Sequence, residues 1–279
     1  MKNHVPTLNI DWEYENYKYS HNFDLESTGA YFSSITEKSE KFVKPEFLYK
    51  FYGLNENSLN SLLGGYLFFS SPKNFNDPFD CLVNRENHII NRGSEGIKRH
   101  RENIGVCCFS LEGNNPLMWG HYASSYSGFC LKFENEKSLL QNKNIAIKSH
   151  VAYLKDYKPC NENLENVIKE LNTLFINEEM KEFIRKVLTM GFEYCWKMHD
   201  WKYEKEFRAI SINSKSFDNK LYFDKSRVKE IYIGQNMKIK NPNSYDFLMY
   251  ILKNEYPHIK IFEVKPHPLF VKLEFNEII

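Results

Sequence analysis

Apolar positions along the chain fall into two regimes. From residue 46 to about 134 they come in short runs or alternations bounded by Gly, Pro and Asn, which predicts short strands and helices. "EFLYKFYG" (46–53) reads as a strand, and "ENSLNSLLGG" (56–65) reads as a short helix stopped by Gly64 and Gly65. "YLFFSSP" (66–72) is expected as a buried strand ending at Pro72, followed by the turn "NFNDPFD", where Asp77 before Pro78 suits a helix N-cap. "IGVCCFSLE" (104–112) and "GFCLKFE" (128–134) read as strands flanking a helical turn in "NNPLMWGHYASSYSG".

From 161 to 198 the period lengthens. Met180, Phe183, Ile184, Val187, Leu188 and Phe192 recur at helical spacing, which predicts a helical insertion of two segments. "DWKYEKEFRAISI" (200–212), "VKEIYIG" (228–234), "IKIFEV" and "FVKLEF" return to strand, with a helix over 244–257. Residues 1–45 are polar with scattered aromatics and are read as an arm packing on the body or on a second subunit. The expected fold is α+β: residues 46–279 as one domain, a mostly antiparallel mixed sheet with short helices and a helical insertion at about 161–198.

Composition narrows this picture only slightly. Hydrophobic residues make up 42% of the chain, enough for a sizeable core, and the net charge of +1 provides no global field for nucleic acid or an anionic membrane. Six scattered cysteines without a CxxC pair argue against a zinc knuckle or a disulfide framework. With no signal-type segment and no run of about 20 apolar residues, a cytoplasmic protein without membrane contact is expected. Oligomerisation is left open.

Three stretches could carry chemistry. In "WKYEKEFRAI", strand alternation would place Glu204, Glu206 and Arg208 side by side on one face, about 7 Å between successive members, with Trp201, Tyr203 and Phe207 anchoring the other. In "PLMWGHYASSYSG", Trp119, His121 and Tyr122 could stack and orient a planar ring. In "PKNFNDPFD", Asn76 and Asp80 add polar groups beyond what capping by Asp77 requires. Each has an ordinary alternative: a solvated strand face, a core helix and a capped turn. Asp77, Asp80, Glu204 and Glu206 would suit Mg²⁺ if they converged, which would make the chain a metal-dependent nuclease or phosphoesterase. A non-enzymatic module binding a nucleotide or protein is the third reading. The usual nucleotide, hydrolase and zinc-protease motifs are missing.

Together, "FLYKFY", "LFFSSPKNFNDPFD", "VCCFSLEGNNPLMWGHYASSYSGFCLKF" and "WKYEKEFR…VKEIYIG" resemble a widespread bacterial family known only as a domain of unknown function. The likeness runs through roughly residues 46–234, with Phe207 where that family usually has Trp. More loosely, Glu-x-Glu on a strand is similar to the ADP-ribosyltransferase signature. That resemblance implies an NAD-consuming transferase or glycohydrolase, in a toxin or phage-defence setting, with a protein or nucleic-acid acceptor and no metal. It implies Glu206 at the nicotinamide ribose, stabilising an oxocarbenium-like transition state, and Glu204 on the acceptor side. Tyr49 and Lys50 would stand where such transferases have Arg or His, with Lys50 at the pyrophosphate. Ser110 of "CCFS" would replace their Ser-Thr-Ser strand, and Asn76, Asp77 and Asp80 would form the pocket rim.

Overall fold

A computed structural model describes residues 7–26, 31–77, 79–81, 103–135, 139–140, 145–155 and 162–278. The strands are β1 (Thr7–Tyr14), β2 (Tyr17–Asp24), β3 (Tyr31–Glu37), β4 (Phe47–Tyr52), β5 (Tyr66–Phe68), β6 (Gly105–Ser110), β7 (Phe129–Glu134) and β8 (Ile145–His150), then β9 (Ala152–Leu154), β10 (Trp196–Met198), β11 (Glu206–Ser211), β12 (Lys220–Tyr222), β13 (Val228–Gly234), β14 (Lys260–Pro266) and β15 (Leu273–Glu277).

Eight of them form the central sheet in the order β15-β14-β13-β7-β4-β6-β11-β8. Within this sheet β13 and β14 pair in parallel, joined by the crossover helix Pro242–Glu255, and the other neighbours pair antiparallel. The fold is therefore α+β with a mostly antiparallel core. The apolar runs of β6 and β7 are buried on both faces, as central position requires.

Residues 7–37, expected as an arm, form a three-stranded antiparallel meander. In β2, Tyr17, Tyr19, His21 and Phe23 alternate inward while the residues between them face out. Their inner face packs on the helices Glu162–Thr173 and Glu178–Tyr194, which realise the two predicted segments. Trp12 stacks on Tyr19 at 3.9 Å, and Phe192 meets Trp12 and Tyr14 edge-on at 5.7 and 5.2 Å. Asn177 caps the second helix by accepting from Met180 N.

Two local expectations need correction. Of 66–72, only Tyr66–Phe68 is strand; it pairs with β12 as a small ribbon, and Phe68 is about half exposed. Residues 200–204 are not strand either. His199–Glu204 is a 3-10 turn, Lys205 takes a left-handed conformation (φ 44°), and extended pairing begins at Glu206. Among the described residues no helix is long and apolar enough to cross a membrane.

Candidate active site

A cavity of about 970 Å³ opens beside β4 and β6, roofed by the helix Glu56–Gly64 and by the turn at 74–76. This is the upper end of the size range for small-molecule sites. The helix Pro116–Tyr122 brings His121 and Tyr122 to one end of it. Asn115 caps that helix by accepting from Leu117 N, and Pro116 supplies its first turn. After it, Ser124, Ser125 and Tyr126 all have positive φ, and the chain re-enters the sheet at Gly128. A Cβ there would lie 2.1 Å from Tyr52 O, so the close approach requires glycine.

The floor of this end is a buried charge cluster. Arg208 is fully buried and grips two carboxylates. Its Nη1 and Nη2 donate to Asp80 Oδ1 and Oδ2 at 2.8 and 2.7 Å, while its Nε and Nη2 donate to Glu206 Oε1 and Oε2 at 2.8 and 2.9 Å. Nη1 also donates to Tyr194 O, and Phe75 lies 5.6 Å from the guanidinium carbon. Lys197 donates to Glu204 Oε2 at 2.6 Å and sits 3.4 Å from Asp80 and 3.6 Å from Glu206. Tyr122 OH donates to the other oxygen of Glu204.

Three carboxylates thus face two cations, leaving one surplus negative charge. The surplus falls on Glu204, the acid that Arg208 does not touch. Burial and the Glu206 charge push the Glu204 pKa up to about 7, against the opposing pull of Lys197. Burial would also raise Glu206, but Arg208 and Lys197 outweigh it and hold that acid down, at about 2. The surroundings of these two adjacent acids thus drive their proton affinities apart. Burial pushes the nearby thiols of Cys81 and Cys108 well up despite Arg208, which disfavours their thiolate forms.

Glu204, Glu206, Asp80, Asn76, Tyr49, Lys50, Ser110, His121 and Tyr122 all line the cavity. Ser110 also braces the 3-10 turn, donating to Glu204 O at 2.7 Å. Three other predicted residues stand elsewhere. Arg208 lies behind the wall and acts by holding Glu206 and Asp80. Trp119 is fully buried, donates to Gly113 O and packs on Phe51 and Tyr126. Asp77 is buried off the cavity and accepts from Phe79 N at 2.8 Å, while the helix it was expected to start falls outside the described residues. The carboxylates that could have bound Mg²⁺ converge on Lys197 and Arg208 instead, and Asp77 is not among them. No group of three or more metal-binding side chains is arranged for an ion among the described residues.

Sequence reasoning missed Lys197. Its only signal is a lone lysine between Trp196 and Met198 at the close of the helical insertion. It also missed Tyr153, whose hydroxyl accepts from Glu206 N at 2.7 Å and fixes the start of β11.

No curated protein and no solved structure matches the chain. Residues 118–209, running from the helix of His121 and Tyr122 through Lys197 to Glu206 and Arg208, match the family model described as Protein of unknown function (DUF2971).

Proposed function

We propose that the chain cleaves the nicotinamide–ribose bond of NAD and passes the ADP-ribosyl group to water or an acceptor, in the cytoplasm. The observation that carries this reading is the pair Glu204 and Glu206 on one cavity wall, Glu206 clasped by Arg208 and Glu204 held by Lys197 and Tyr122. The surplus negative charge favours a substrate end that is cationic, as the nicotinamide ring is. As the bond from ring nitrogen to C1′ breaks, the electron pair leaves with neutral nicotinamide and positive charge develops on the ribose. Glu206, held ionised by Arg208, stabilises that charge. The incoming hydroxyl forms the new bond to C1′ and gives its proton to Glu204, whose pKa near 7 suits a base at neutral pH. Arg208, Lys197 and Tyr122 hold the two acids in position.

The test is incubation of the purified protein with NAD in the presence of EDTA, with nicotinamide and ADP-ribose followed chromatographically. Release of nicotinamide is expected. A strict requirement for a divalent ion would contradict the reading.

A further inference from the structure

The charge along the cavity is ordered, and strand β6 gives the scale. At one end Ser110 pairs with Glu206 and donates to the Glu204 carbonyl. At the other, Val106 bridges to Ser70, next to the β5–β12 ribbon. Four residues of extended chain separate the two ends by about 13 Å. Between them Lys50 donates to Cys108 O at 3.1 Å, which places an ammonium group over the middle of the cavity.

The far end has a different character from the acidic one. Tyr66, Phe68 and Lys220 share a face of the ribbon, because Phe68 pairs directly with Lys220 and Tyr66 is two residues away. All three line the cavity, with Lys220 Nζ 5.0 Å from the centre of the Tyr66 ring. Phe68 keeps 46% of its surface, so an aromatic platform is open to an incoming ring. The helix Glu56–Gly64 turns Asn57 and Asn60 toward the same space, one turn apart on its exposed side. Carboxamides present a donor and an acceptor together, the pattern that matches the exposed edge of adenine.

We infer that this end is a nucleotide subsite: an adenine ring stacks on Tyr66 and Phe68, Asn57 and Asn60 read its edge, and Lys220 and Lys50 take the phosphates. Resting on the NAD reading, it orients the substrate, with nicotinamide riboside over Glu204 and Glu206, pyrophosphate at Lys50 and adenosine on the ribbon.

Two readouts test it: calorimetric titration of the whole protein with AMP, and the ratio of kcat/KM for NAD to that for nicotinamide mononucleotide, which lacks the adenylate half. Phe68→Ser and Lys220→Glu sit on the open face of the ribbon, and their thermal midpoints check that the fold is kept. Each should weaken AMP binding by about tenfold or more, given the worth of base stacking, and lower the NAD to mononucleotide ratio to a similar extent. Absence of AMP binding to the unaltered protein, or AMP binding by both variants as tight as that of the unaltered protein, overturns the subsite. If neither dinucleotide nor mononucleotide is cleaved, the NAD reading fails and the AMP titration alone decides the subsite.

Discussion

Arg208 and Asp80 meet across 128 residues of sequence in a two-point contact, 2.8 Å from Nη1 to Oδ1 and 2.7 Å from Nη2 to Oδ2. The contact ties the turn at 75–81 to strand β11. It also explains why a turn carries two phenylalanines and two acids. Phe75 packs on the guanidinium, Asp80 holds it, Asp77 organises the turn backbone, and only Phe79 is left exposed.

Replacing Arg208 should be expensive. Arg208→Met leaves Asp80 and Glu206 buried without their main cation, a loss on the order of 3–5 kcal/mol. Arg208→Lys should fall close behind, because an ammonium cannot serve two carboxylates with paired, planar donors. Urea unfolding midpoints check this, and a midpoint unchanged in Arg208→Lys would contradict the role given to the guanidinium.

Lys197 opposes the rise in proton affinity that burial and Glu206 impose on Glu204. Because Glu204 acts as a base in its ionised form, turnover should rise with pH through about 7 and level off above. Lys197→Met removes the cation 2.6 Å away, so the rise should move to higher pH. A pH–rate profile of the two proteins reads the shift; coincident profiles would remove Lys197 from the site.

His21 makes stability depend on pH. It is fully buried against Gly191, neither ring nitrogen has a hydrogen-bond partner among the described residues, and burial lowers its pKa from 6.5 to about 4 despite the nearby Asp11. The folded value lies below the unfolded one, so the unfolded chain takes up a proton that the folded chain refuses. Its contribution is complete above pH 6.5 and is lost as pH falls toward 4. The loss is about 3 kcal/mol. Unfolding of His21→Phe beside the unaltered protein at pH 7 and 4.5 isolates this term, and the variant should lose less stability on acidification.

Gly128→Ala should displace the segment that delivers His121 and Tyr122. The added carbon would meet Tyr52 O at 2.1 Å and Ala123 backbone at 3.0 Å. Backbone cannot give way as a side-chain tip can, so a cost of about 1–3 kcal/mol is expected. A thermal midpoint equal to that of the unaltered protein would contradict it.

The central sheet was legible because β4, β6, β7 and β13 are short apolar runs bounded by turn residues, and the two helices of the insertion because their apolar spacing is regular. The meander of residues 7–37 was not. Its inward alternation uses Trp, Tyr and His, whose polar atoms blur the contrast with the Lys, Asn and Glu between them. Glu204 and Glu206 were singled out as two positions of one strand, yet the left-handed Lys205 breaks that strand and Glu204 arrives from a 3-10 turn. Their convergence with Asp80 and Lys197 is a tertiary fact that spacing cannot carry. Arg208 looked like a member of the reacting face because alternation fixes the side of a strand but not what lies beyond it.

The most direct test of the central claim is nicotinamide release from NAD by the unaltered protein and by Glu206→Gln, each with EDTA. Release that persists with the chelator and falls by about 10²–10³-fold in the variant, the usual cost of removing one transition-state electrostatic partner, is the result expected. Undiminished release by a folded Glu206→Gln protein would contradict the account.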